Sequence, residues 1–168
     1  MGQRAVSGLL PAGKNLYLAS VNSFLNFQLI GQPDRDPHTA TLIPDPAKDT
    51  LIVYRGELPF LQRILAAAGY DNPAEQLHLL SWPDPEQSLD LADLTRHLLV
   101  SKVILFGQNL PALGLHFQLT DYFPAEIAGK RFLKAPALTE IKSAKEAGNN
   151  VPAGSLWKAI QNGFLREP

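Results

Sequence analysis

The chain has 168 residues, 45% of them hydrophobic and 18% charged, with a formal net charge of −1 and no cysteine. That length and apolar content predict one folded body rather than a disordered chain. The near-zero charge gives no general pull toward nucleic acid or an anionic membrane, and the missing cysteines exclude disulfides, thiolate catalysis and cysteine zinc sites. No apolar run reaches the ~20 residues a membrane helix needs, and no leader-like segment opens the chain. The expectation is a cytoplasmic protein with no membrane partner.

Residues 1–14 are small and polar, with Gly2, Gly8, Pro11 and Gly13, and read as a loose start. From Asn15 to Ile30, Leu18, Val21 and Leu25 fall at helical spacing, and Phe24 extends the stripe. This spacing predicts a helix that either caps the domain's own core or lays its apolar face on a partner. Gly31 and Pro33 end it, and residues 32–49 form a connector rich in proline and aspartate. Within that connector, Thr39 to Ile43 reads as an edge strand, where proline neighbours are tolerated. The division expected is therefore an N-terminal arm and connector over 1–49 and an α/β domain over 50–168.

Two segments share one grammar. Thr50 to Tyr54 is an apolar run followed by Gly56 and Leu58-Pro59; Val103 to Phe106 is followed by Gly107 and Leu110-Pro111. β-branched and aromatic residues packed without alternation predict strands buried on both faces, as in a parallel sheet. Proline next to the first helical position can open a helix after each. After the first strand, Leu61, Ile64, Leu65 and Ala68 place one apolar face on a helix that Gly69 stops. Leu77 to Trp82 is the second strand. An acidic turn with Asp84, Glu86, Asp90 and Asp93 leads to a helix whose apolar face is Leu91, Leu94, Leu98 and Leu99. Strands alternating with helices predict right-handed βαβ units, with the functional edge at the carboxyl ends of the strands.

Beyond Pro111 the pattern weakens. Leu115, Phe117, Leu119 and Phe123 alternate as an exposed strand or an irregular segment would. Lys130 to Lys134 reads as a short strand ended by Ala135-Pro136, with Pro136 opening a helix to about Ala147 and Gly148 stopping it. The last helix follows Pro152 with an apolar face of Leu156, Trp157, Ile160 and Phe164.

Little chemistry is legible. His38, His78, His97 and His116 show no i, i+4 pair and no HExxH. There is no nucleophile elbow, and the single glycines after each strand fall short of a dinucleotide fingerprint. No cofactor, metal or catalytic residue is expected. Five cations (Lys130, Arg131, Lys134, Lys142 and Lys145) against Glu140 and Glu146 give residues 130–146 a modest positive face. Without interleaved exposed aromatics this reads as a solvated surface, and no direct nucleic-acid binding is expected. Trp82 and Trp157 read as core anchors.

The segment Ala135-Pro-Ala-Leu-Thr-Glu-Ile141, followed by Leu156-Trp-Lys-Ala-Ile160, resembles the psi subunit of the bacterial DNA polymerase III holoenzyme. That family carries a Ser-Pro-Ala-Leu-Thr-Asp-Leu stretch and then a helix with Leu-Trp-x-x-Ile. The strand Leu51 to Tyr54 running into Glu57-Leu58-Pro59 is similar to the psi strand and its Asn-Asp-Leu-Pro turn. The resemblance covers roughly residues 50–164. It implies a three-layer α/β sandwich, a central mostly parallel sheet flanked by helices, related to uracil-DNA glycosylases but without catalysis. It also implies a bridging role in replication, in which an N-terminal arm engages a clamp-loader subunit and the body holds a chi-like subunit. Leu18, Val21, Phe24 and Leu25 occupy the position of such an arm. The family's arm carries a tryptophan and this chain has none before Trp82. Residues 113–133 have no counterpart in the pattern. The alternative the same resemblance raises is a divergent glycosylase-like enzyme acting on a flipped base, for which Glu57 is the one acidic candidate to position water.

Overall fold

The computed structural model describes Thr39 and residues 41–165. The arm residues Leu18, Val21, Phe24 and Leu25 lie outside them. Five strands form one sheet: β1 (Thr50–Tyr54), β2 (His78–Ser81), β3 (Lys102–Phe106), β4 (Ala125–Ile127) and β5 (Lys130–Ala135). Their order is β2-β1-β3-β5-β4; the first four are parallel, and β4 runs antiparallel to β5. The fold is α/β with a mostly parallel sheet. Among the described residues, the helices that surround the sheet are α1 (Leu58–Ala68), the single turn α2 (Pro73–Gln76), α3 (Leu91–His97), α4 (Leu138–Glu146) and α5 (Val151–Ile160). None of them is long and apolar enough to cross a membrane.

The central strands are apolar throughout because both sheet faces are covered. Successive side chains point to opposite faces, so each strand divides its residues between two cores. Ile52, Ile104 and Leu133 join Leu61 and Leu65 of α1, Ile141 of α4 and Leu156 and Ile160 of α5 in one core. Leu51, Val53, Val103, Leu105 and Phe132 join Leu91 and Leu94 of α3, and Leu98 at its C-cap, in the other. The two covers differ in kind. Three longer helices line the first face, whereas the second has seven-residue α3 and an irregular stretch contributing Leu110, Leu113, Leu115 and Leu119.

Helix ends follow local chemistry. Gly69 closes α1 in the left-handed conformation (φ 117°), its N–H donating to Leu65 and Ala66 carbonyls. Asp90 caps α3, its side chain accepting from the Asp93 N–H at 2.8 Å. The end of α5 continues as a wide turn, Gln161–Leu165. Two cations bind its carbonyls, Arg131 Nη1 to Gly163 O at 2.6 Å and Lys102 Nζ to Phe164 O at 3.1 Å. Positive charge at the carbonyl end of a helix is the favourable sign.

Several sequence expectations are corrected. Leu110-Pro111 opens only a 3₁₀ turn (Pro111–Leu113), because Gly114 at φ 70° ends it after three residues. The stretch from Thr41 to Ile43 forms a turn and coil rather than an edge strand, Leu42 N–H donating to Thr39 O. Leu99 does not join the α3 face; it sits just past the helix at φ 58° and is 73% exposed. Pro136 precedes the cap residue Ala137, so α4 begins two residues later than proline placement suggests. The hairpin made by β4, Ala128-Gly129 and β5 has no counterpart in the sequence pattern. Both of its turn residues have positive φ, 51° and 72°, the two-residue geometry that suits a twisted antiparallel pair. Trp82 is fully buried, but Trp157 is 41% exposed and anchors α5 to α1 through Nε1–H donating to Ala67 O at 2.9 Å.

Candidate functional site

From β1 the chain goes to β2 on one side, then crosses back to β3 on the other. Order therefore reverses between β1 and β3. In open parallel sheets the crevice beyond the carboxyl ends of two such strands is where ligands bind. Three turns meet there: Arg55-Gly56-Glu57 after β1, Gly107-Gln108-Asn109 after β3, and Pro136-Ala137-Leu138 after β5.

The third turn fills the place between the other two. Gly56 (φ 124°) and Gly107 (φ 61°) are both in backbone regions that favour glycine. A Cβ on Gly107 would lie 2.6 Å from Ala137 Cβ and 2.8 Å from Ala137 Cα; one on Gly56 would lie 3.2 Å from Leu138 Cβ. Ala137 and Leu138 are each 1% exposed, and Gly107 N–H donates to Ala135 O at 3.0 Å. The glycines seat the β5–α4 turn over the strand ends. The sequence marks them as turn residues, and nothing local reveals a chain segment about eighty residues away packed on Gly56.

Several polar groups of this edge pair within the fold. Glu57 stands at the N-cap of α1 without capping it, and both its carboxylate oxygens accept from Lys142 Nζ, at 2.8 and 2.9 Å. The hydrogen bond to Glu57 holds the Lys142 ammonium above its ordinary pKa. Asn109 Nδ2 contacts both Glu86 oxygens at 3.1 Å. Gln108, 5% exposed, donates from Nε2 to Trp82 O and Phe106 O, while its Oε1 has no partner. That amide ties β2 to β3 beneath the edge.

The cations of residues 130–146 are largely consumed. Lys130 Nζ donates to Val100 O at 2.6 Å, Arg131 holds Gly163 O, Lys134 pairs with Asp121 at 3.1 Å, and Lys142 pairs with Glu57. The positive face read from the sequence is thus a set of internal fasteners. The acidic stretch behaves likewise. Asp84 Oδ1 accepts from Glu86 N–H, Asp90 caps α3, and Asp93 lies 3.6 Å from Arg96.

Among the described residues no three carboxylate, histidine or cysteine side chains group as metal ligands. His78 is buried on β2, where burial and then the Lys48 charge outweigh Asp45 and hold its imidazole below the ordinary pKa. Three concavities lie elsewhere. One of about 510 Å³ runs between residues 41–48 and β2, one of about 560 Å³ lies between residues 122–124 and α5, and one of about 250 Å³ lies between α3 and the β4–β5 hairpin. None of the three includes a residue of the carboxyl-edge turns. No family model matches the chain, and no curated protein matches it.

Proposed function

We propose that the chain is a non-enzymatic accessory protein of DNA replication, akin to the psi subunit of DNA polymerase III, working through protein contacts. The observation that carries this reading is the crevice at the strand ends. Ala137 and Leu138 are packed on Gly56 and Gly107 where a doubly wound enzyme would hold its ligand. A mostly parallel sheet covered on both faces is compatible with the three-layer architecture that the resemblance implies. The two motif stretches also have a common structural purpose. Leu138 and Ile141 from one and Leu156 and Ile160 from the other meet in a single core.

On this reading the body is a rigid carrier. The arm, with Leu18, Val21, Phe24 and Leu25, folds its apolar face into a groove on a clamp-loader subunit, while the body meets a chi-like subunit. Internal pairing of Lys130, Arg131, Lys134 and Lys142 argues against a role as a DNA-contacting surface.

The test is capture of purified clamp-loader complex by the full chain and by the chain lacking residues 1–30. Retention by the longer bait alone is expected. Equal retention by both, or by neither, overturns the proposal. An excision assay on uracil-containing single strands checks the enzyme alternative. Product above background that is lost in Glu57→Ala would replace the scaffold reading with a catalytic one.

A further inference from the structure

The two faces of the sheet are covered unequally, and the thinner cover has a hole in it. The β3-to-β5 connection passes over the second face without an α-helix, and α3 spans only seven residues. Between α3 and the β4–β5 hairpin this leaves a cavity of about 250 Å³. Its floor and walls include Leu91, Leu115, Phe117, Ile127 and Phe132. Leu91, Leu115 and Phe132 are buried residues of the second core.

The surface those walls expose is almost wholly apolar. Thr95, on the α3 side, gives its hydroxyl proton to Ala92 O at 3.1 Å. The buried polar atoms left without a hydrogen bond or ion pair among the described residues belong to His78 and Gln108, neither of which lines the cavity. An apolar concavity with no unmet polar group gains by covering its surface with an apolar guest. Its charged lining residues are both cations, Arg96 and Lys130. Lys130 is committed to Val100 O. Arg96 donates from Nε to Ala92 O at 3.2 Å and lies 3.6 Å from Asp93 through Nη2, which leaves the outer edge of its guanidinium, on a side chain 71% exposed, open to an anion.

From this combination we infer that the cavity is a binding site for an apolar monocarboxylate, such as a medium-chain alkanoate. The chain would enter between α3 and the hairpin, and the carboxylate would remain at the rim on Arg96. The volume, about 250 Å³, is below the ~300 Å³ at which drug-sized pockets begin and has room for one alkyl chain. This inference is independent of the replication reading.

The experiment is titration of the full chain with sodium alkanoates from butanoate to dodecanoate, followed by amide NMR shifts, with the matching 1-alkanols as uncharged controls. Affinity is expected to rise about fourfold per added methylene, the effect of burying one CH₂, and to level off once the cavity is full. Alkanoates should bind several-fold more tightly than alkanols, and Arg96→Gln should erase that difference while leaving alkanol affinity unchanged. Ala92 is exposed at the mouth, so Ala92→Trp can close the cavity without entering the core, and it should abolish binding at an unchanged melting temperature. A flat dependence on chain length in the unmodified protein overturns the inference, as does unaltered binding in Ala92→Trp. Equal affinity for acid and alcohol removes the carboxylate from it. Phosphatidylglycerol vesicles distinguish a free acid from a membrane acyl chain. No co-sedimentation is expected, and vesicle binding without affinity for free alkanoate would overturn the site as drawn.

Discussion

Gly107→Ala probes how tightly the turn after β5 is seated on the strand ends. The added Cβ would lie 2.6 Å from Ala137 Cβ and 2.8 Å from Ala137 Cα, at a residue with φ 61°. Left-handed backbone costs a non-glycine residue about 1–2 kcal/mol, and forcing extra volume into a packed site costs about 1–3 kcal/mol. Together they amount to roughly 2–5 kcal/mol, or a fall in melting temperature on the order of 10 °C for a chain of this size. Gly114→Ala is the control. Its φ is 70°, yet nothing lies within 4 Å of the new Cβ, so it suffers the backbone strain alone. Both substitutions lower unfolded-chain entropy equally, and that effect cancels in the comparison. Thermal unfolding followed by circular dichroism reads the difference. If Gly107→Ala melts no lower than Gly114→Ala, the turn is not packed on β3, and the argument for a filled crevice fails.

Leu99 is the opposite case, an exposed leucine at φ 58° just past α3. Leu99→Gly should stabilise the fold by about 1 kcal/mol by relieving left-handed strain, read as a higher denaturant midpoint; an unchanged or lower midpoint counts against that strain. Arg131→Met removes the donor to Gly163 O and should cost about 1–2 kcal/mol. Amide exchange should rise first in residues 161–165, and exchange that rises uniformly would contradict the clamp. His78 has its imidazole pKa lowered by burial and by Lys48, so the unfolded chain takes up that proton first. Stability should therefore fall as pH drops below about 6.5, and His78→Gln should flatten that slope; an identical pH profile in the variant refutes it. Asp49 is held below its ordinary pKa, since hydrogen bonds from Lys102 and Thr50 outweigh the effect of burial. Its contribution is present above about pH 4 and lost as pH falls further, so Asp49→Asn should shift acid unfolding, whereas an unshifted transition denies the pair a role.

The strands and helices that the sequence specifies are those with strong local signals. Thr50 to Tyr54 and Val103 to Phe106 are apolar without alternation, and only a strand covered on both faces satisfies that pattern. Leu61, Leu65 and Ala68 repeat at helical spacing before Gly69, so both the buried stripe and the stop of α1 are local properties. Parallel pairing follows from helices placed between strands. The antiparallel hairpin did not emerge, because Ala125–Ile127 is three residues long and only its pairing with Lys130–Phe132 makes it a strand. Leu99 departs from its expected face for a related reason: periodicity counts residues, whereas the end of α3 is decided where Leu98 meets the core.

The candidate edge was legible as a place but not as a condition. Gly56 and Gly107 mark the carboxyl ends of their strands in the sequence, since only a turn there explains glycine after an apolar run. That these glycines are filled by Ala137 and Leu138 depends on residues about thirty and eighty positions apart meeting. So does the pairing of Glu57 with Lys142, eighty-five residues along the chain. Local sequence decides which backbone conformation each residue prefers. Whether a crevice is open or shut, and whether a lysine is free or spent, is decided by what distant chain is packed against it, a property that exists only once the sheet is assembled.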